Sequence, residues 1–220
     1  MTFEFKVVLD AFPVLLQGLW MTLILVAASL LLGIAIGLFV CAGRILRRGV
    51  IYYFANIYVG IFRGLPETVM IFWVYYCGPL LLNVKLSGPA SGILALTLPA
   101  GAYLAEIFRA GIEAVPRGQV EAARALGLSE PWVAWHVVAP QAIRMMTAPF
   151  VGFVTILLKN SSLVSAVGVA ELFYRAVVFG DTSYRYLEIF TTVGVIYFCL
   201  IFPLSLAAQY AERRVALRQQ

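Results

Sequence analysis

Apolar stretches long enough to cross a hydrocarbon core recur along the whole chain, and that recurrence limits the folds open to it. A core of about 30 Å takes roughly 20 helical residues, and the runs at 12–42, 51–82, 91–112, 147–170 and 187–208 each meet that length. Lipid offers no partner to an exposed backbone N–H or C=O, so such runs are read as helices. A soluble domain is excluded by the balance of residues: 62% are hydrophobic and 12% charged, with a mean hydropathy of +0.93. The expected fold class is all-α integral membrane, with five transmembrane helices in a single domain over 1–220 and one sizeable polar loop at about 113–145. The first run lacks a basic leader and exceeds a signal-peptide core in length, so it is expected to be a retained span.

Each run carries its own punctuation. Gly33 and Gly37 in the first have small-xxx-small spacing, which admits a second helix at close range. The second would be roughly 48 Å long as one straight helix, too long for a bilayer. Gly64 and Pro66 mark the expected break. The loop reads as two short helices joined at Gly127, the second capped by Ser129 with Pro131 in its first turn. The fourth run is apolar except for Lys159, Asn160, Ser161 and Ser162 at its centre. Cys41, Cys77 and Cys199 lie in apolar runs without metal-ligand spacing and read as small buried hydrophobes. His136 has no second ligand nearby and reads as an interfacial hydrogen-bonding residue.

A net charge of +5 and a pI near 9.2 raise nucleic acid as a partner, but the positions of the basic residues point to topology instead. Arg44, Arg47, Arg48, Arg109, Arg117, Arg124, Arg144, Arg213, Arg214 and Arg218 share one side of a five-span arrangement, ten of the sixteen Lys and Arg residues. By the positive-inside rule that side is cytoplasmic, which puts the N-terminus outside, the C-terminus inside and the 113–145 loop in the cytoplasm. The remaining partner is membrane lipid, with no role for nucleic acid.

Three groups of residues invite a functional reading. Lys159, Asn160, Ser161 and Ser162 fall near mid-membrane, where an ionisable residue faces protein, water or a ligand. They either line a translocation cavity and touch solute, or Lys159 pairs with Glu106 or Glu171 while the hydroxyls cap a helix break. Arg63 and Glu67, four apart, either neutralise each other or leave Glu67 free to meet a solute ammonium beside the break. Glu106 and Arg109 are expected to pair, with exposure to a cavity as the alternative. In the loop, Glu121-Ala122-Ala123-Arg124-Ala125-Leu126-Gly127 makes a thin helix, with Glu121 and Arg124 placed to pair and Gly127 permitting a sharp reversal. Such a helix fits a groove on another protein, or is an ordinary surface connection. No phosphate-binding Gly-x-x-x-x-Gly-Lys-Ser/Thr sequence and no nucleophile with a base is present, so no enzymatic activity and no cofactor is expected in this chain.

Glu121-Ala122-Ala123 with Gly127, followed by Pro140-Gln141-Ala142 and Arg144, resembles the EAA loop of ATP-binding-cassette importer permeases. The resemblance extends through Phe62-Arg63-Gly64-Leu65-Pro66, Tyr103 to Ile112 and Leu157 to Ser165, segments similar to the polar amino acid branch of that family, which handles histidine, arginine, glutamine, glutamate and opines. It implies the type I importer permease fold, with Glu121, Ala122, Ala123 and Gly127 coupling to two cytoplasmic ATP-binding subunits that carry ATP and magnesium. It also implies a second permease, identical or homologous, an extracytoplasmic solute-binding protein, and an amino acid or related small polar solute. Glu67 stands where that branch has an uncharged residue and Asn160 where an aspartate is common, so the individual solute stays open. An ion-coupled secondary transporter using Glu67, Glu106 and Lys159 is the alternative from another class.

Overall fold

The computed structural model describes residues 3–216; Arg218 of the basic tail lies outside the described residues. All regular structure among them is helical. Four helices are long and apolar enough to span a membrane, and one sharply bent pair supplies a fifth crossing. The first, α1, runs over Phe5–Ile45 and is longer at both ends than the apolar run alone suggests.

The second run breaks as its glycine and proline foretell. α2 (Gly49–Gly64) stops at Leu65, whose extended backbone precedes Pro66, and α3 (Glu67–Phe72) leaves at 107° to it. Pro66 disfavours helical backbone in the residue before it, which places the corner at Leu65. α3 continues through a π turn, Trp73–Cys77, into α4 (Gly78–Leu82), and Asn83 ends it in the left-handed region at φ 51°. α5 (Gly88–Glu113) starts with Pro89 in its first turn and is capped by Ser87, whose Oγ accepts from the Ala90 N–H at 3.4 Å.

The polar loop departs from the expected pair of short helices. α6 (Arg117–Ala125) is short, but the next helix is not: α7 (Glu130–Val133) passes through a π turn, Ala134–Val138, into α8 (Ala139–Asn160) and then the 3-10 stretch Ser161–Val167, one rod from Glu130 to Val167. Pro131 is in the first turn as expected, whereas Ser129 occupies the cap position without its side chain capping. Gly168, at φ 78°, turns the chain into α9 (Leu172–Ser183), and α10 (Tyr186–Ala216) follows.

The most extensive contact is between α1 and α5, at the central apolar core. Leu25 meets Gly92, Gly33 meets Ala100 and Gly37 meets Leu104, so the two helices run in the same direction. A Cβ on Gly37 would lie 2.9 Å from the Leu104 Cβ and 3.2 Å from both the Ala105 N and the Gly101 O. The small-residue spacing read from the sequence therefore sits at a tight contact between α1 and α5. A second, smaller cluster joins Ala11 and Leu15 of α1 to Leu172, Ala176, Ile189 and Val193 of α9 and α10. At its outer limit Glu4 N–H donates to Glu188 Oε1, and Arg185 ion-pairs with both Glu4 and Glu188. α1 and α10 thus begin at the same end of the bundle. Cys41 is buried and Cys77 half-buried, but Cys199 is exposed on α10, against the expectation of a buried thiol.

Gly37→Ile is expected to destabilise the detergent-solubilised chain by about 1–3 kcal/mol through overpacking, read as a lowered unfolding midpoint. Gly60→Ile, at a helical glycine with no neighbour within 4 Å, should leave the midpoint within about 0.5 kcal/mol of the parent. Equal effects at the two sites would contradict the assignment of Gly37 to the tight contact.

Candidate functional site

The break after α2 puts Glu67 at the first turn of α3, where the free backbone N–H groups of a helix start favour a carboxylate. Its side chain meets the amide of Asn160, at the end of α8. Together they close a cleft lined by Leu96, Pro99, Tyr103 and Phe153, near the middle of α5. The Tyr103 and Phe153 rings stack at 5.8 Å, and the Arg63 guanidinium lies 5.4 Å from the Tyr103 ring centre. The cavity measures only ≈ 10 Å³, about what one water needs. In this conformation the cleft is shut to any solute.

The tetrad at the end of α8 does not act as one surface. Asn160 turns towards Glu67; Ser161 is fully buried, donates to the Leu158 carbonyl at 2.7 Å and reaches the Tyr197 side chain. Ser162 donates to the Lys159 carbonyl at 2.8 Å. These hydroxyls bond backwards to carbonyls where α-helix gives way to 3-10 turn, the capping of a helix break that the sequence allowed. Lys159 is exposed and ion-pairs with neither Glu106 nor Glu171. Of the predicted pathway residues, only Glu67 and Asn160 meet.

Both predicted partners of Lys159 are engaged elsewhere. Glu171 is entirely buried. As the N-cap of α9 its carboxylate accepts from the Phe173 and Tyr174 N–H groups at 3.0 and 2.7 Å, and from the Thr22 and Tyr197 hydroxyls at 3.3 Å each. Glu106 collects three arginines: Arg44 at 2.7 Å, Arg63 at 3.1 Å and Arg109 at 2.7 Å. The expected Glu106–Arg109 pair is present, but Arg63 pairs with Glu106 and not with Glu67, because the corner at Leu65 separates them. Arg109 and Arg47 also hold Glu113. Sequence spacing exposes pairs within one helix; this cluster joins α1, α2 and α5, and no local spacing signals it.

In the loop, Ala123 is buried while Glu121, Ala122 and Gly127 are exposed. Gly127 has φ 75°, a left-handed turn suited to glycine, and the Leu128 N–H returns to the Ala123 carbonyl. Arg124 does not pair with Glu121: it forms a two-pronged bond across the turn to Glu130, at 2.7 and 3.0 Å. The hydrogen bond to Glu130 raises the Arg124 pKa above its ordinary value. Gln141 Nε2 donates to Gln119 Oε1 at 2.6 Å, tying α6 to the foot of α8. His136 stacks on Trp132 and bonds its carbonyl.

A bundle of membrane-crossing helices, a shut cleft closed by Glu67 and Asn160 and an exposed Ala-rich helix at one end fit a membrane transport component. The chain matches the family model of binding-protein-dependent transport system inner membrane components over residues 33–217, and it belongs to that family. It is 31% identical to an arginine transport system permease protein of Bacillus subtilis, over 98% of each chain. Against a probable amino-acid permease protein of the same organism it is 32% identical, over 98% of this chain and 97% of the other. A crystal structure of an amino acid ABC transporter with histidines is 32% identical and superposes with a TM-score of 0.87, covering 97% of this chain and 100% of that one. Inward-facing structures of a methionine ABC transporter match at 24% identity and a TM-score of 0.75, over 93% of this chain and 97% of that one, a likeness of fold. The protein is thus a multi-pass inner-membrane permease of the type I importer fold, and nothing in these likenesses favours an ion-coupled carrier.

Glu106→Gln strands Arg44, whose side chain is only 12% exposed, and is expected to cost about 3–5 kcal/mol, as removal of one partner from a buried ion pair does. Unfolding in detergent measures it. The added Arg44→Met change should recover part of the loss, and an unaltered Glu106→Gln midpoint would show that the cluster carries no stability.

Proposed function

We propose that the chain is the translocating subunit of an ATP-driven importer that carries amino acids or related small polar solutes into the cytoplasm. The full-length likeness to amino acid permeases and to an amino acid transporter structure carries this reading. Residues 1–220 form a single permease domain. It works with a second permease, identical or homologous, two ATP-binding subunits and an extracytoplasmic solute-binding protein. ATP and magnesium reside in the partner ATPase; this chain holds no cofactor and catalyses nothing itself. The crowding of ten arginines on one side supports an outside N-terminus and a cytoplasmic C-terminus.

The 113–145 loop then faces the ATPases, and Glu121, Ala122, Ala123 and Gly127 form the docking element. The exposure of Glu121, Ala122 and Gly127 supports this assignment. Glu67, Lys159, Asn160, Ser161 and Ser162 serve the solute path. Opening parts Glu67 from Asn160, which frees a carboxylate and an amide for solute, while Lys159, exposed on the single chain, faces the space shared with the second permease. Ser161 serves indirectly, by holding the 3-10 turn against Tyr197.

Two experiments test this. Gly127→Leu or Glu121→Trp should abolish copurification of ATPase subunits or uncouple ATP hydrolysis from uptake by tenfold or more; full coupling in both would sink the docking assignment. Lys159→Ala and Ser162→Ala should lower uptake with assembly intact, and unchanged KM and maximal uptake in both would remove them from the path. Uptake that needs no ATPase and collapses with an uncoupler would replace the reading with an ion-coupled one.

A further inference from the structure

We propose that a cleft between α1 and α9, at the end of the bundle remote from the Glu106 cluster, binds the carboxylate of the solute through Arg175; this rests on the importer reading above. The cleft has a volume of ≈ 190 Å³, and its lining includes Val14, Tyr174, Arg175, Val178, Phe179 and Thr182. Arg175 Nε is buried there without a hydrogen-bond partner. A guanidinium keeps its charge at any physiological pH, and a buried, unpaired N–H on a charged group is costly. In a membrane protein such a group marks a place where something polar binds.

No carboxylate of the chain fills that role among the described residues. Glu171, four residues before Arg175, is turned inward to Thr22, Tyr197 and the α9 backbone. Asp181 accepts from the Tyr186 hydroxyl, and Glu4 and Glu188 hold Arg185. Asp10, one turn from Val14, is exposed and makes no ion pair with Arg175. The Thr182 hydroxyl proton is directed to the Val178 or Phe179 carbonyl. The protons left to offer belong to Arg175 and the Tyr174 phenol, so the cleft asks for an anion. The two terminal nitrogens of a guanidinium present the parallel donors that match a carboxylate.

The surroundings favour a water-borne carboxylate over a lipid phosphate. Lys6, Asp10 and Gln17 share the helical stripe of Val14 on α1, and Asp10 and Gln17 are exposed, a face unsuited to acyl chains. On the topology proposed above this end is the outer mouth, where a released solute first meets the permease.

Phenylglyoxal labelling of the full chain in neutral detergent, with peptide mass spectrometry at Arg175, tests the site without ATP or partners. Acetate and L-glutamine are expected to slow labelling by up to about threefold at twice their dissociation constants, whereas L-glutaminamide, which lacks the carboxylate, should not. No protection by either carboxylate overturns the proposal. Protection by phosphatidylglycerol vesicles in their place assigns the cleft to a lipid phosphate, and faster labelling in Asp10→Asn with no carboxylate effect assigns Arg175 to Asp10; both also overturn it. In uptake assays Arg175→Lys, which loses the fork but keeps the charge, should raise KM roughly tenfold and more than it lowers the maximal rate. Because labelling needs no transport, it can fail while ATP-driven uptake stands, and the two readings fall separately.

Discussion

A helix in lipid cannot leave a backbone group to water, and this constraint governs every irregularity in the fold. The chain interrupts its helices at Leu65, at Asn160 and at Gly168, and side chains close the last two from within. At Leu65 the corner is followed at once by a new helix start carrying Glu67. At Asn160 the tightening to 3-10 geometry is accompanied by Ser161 and Ser162 hydroxyls returned to the Leu158 and Lys159 carbonyls. Beyond Gly168, Glu171 supplies acceptors to the first N–H groups of α9. Broken helices that bring polar groups to the interior are the means by which transporters build solute paths, and here two of the three breaks meet across the Glu67–Asn160 contact.

Glu171 shows how much one buried carboxylate can organise. It satisfies two backbone donors and two hydroxyls on three different elements, α1, α9 and α10. Thr22 adds a reciprocal bond by accepting from the Leu172 N–H at 3.1 Å. The same spot has a close helix approach in the N-terminal half of α1: a Cβ on Gly18 would lie 2.8 Å from the Leu172 Cα. A side chain at position 18 would push α9 away and open the Thr22–Leu172 bond, so the glycine and the carboxylate belong to one arrangement. The residues that follow the polar tetrad are therefore anchored to α1 and α10 while Asn160 itself rests on Glu67.

The number of spans, the corner near Pro66, the close-packing glycines of α1, the polar interruption of the fourth span and the Ala-rich loop were all legible in the sequence. Each depends on a local property: run length, proline sterics, small-residue spacing or residue type. What escaped was set by contacts between distant segments. Arg63 was read with Glu67 because they are four apart, yet Glu106 lies across the helix interface and takes the charge. Arg44 looked like a topology signal and proves to be a 2.7 Å ion-pair partner. Arg124 passes over Glu121, on its own helix, for Glu130 beyond the turn. The polar tetrad was legible as a position but not as a set of directions, because the switch from α-helical to 3-10 winding redirects successive side chains.

The rod from Glu130 to Val167 links the two regions where function is assigned. At a rise of 1.5 Å per residue its α-helical part from Glu130 to Asn160 is roughly 45 Å long, and it starts at the ion pair with Arg124 and ends at the contact with Glu67. Before Asn160 it carries the π turn at Ala134–Val138 and Pro149 inside α8, and Gln119 and Gln141 bridge α6 to the rod just past the π turn. A force on α6 thereby reaches the rod on both sides of the π turn, through Glu130 and through Gln141. Under the coupling role proposed for the loop, displacement of α6 shifts Asn160 relative to Glu67, whose own helix hangs from a separate corner. The shut cleft opens when one of its two walls is carried by the loop and the other is not.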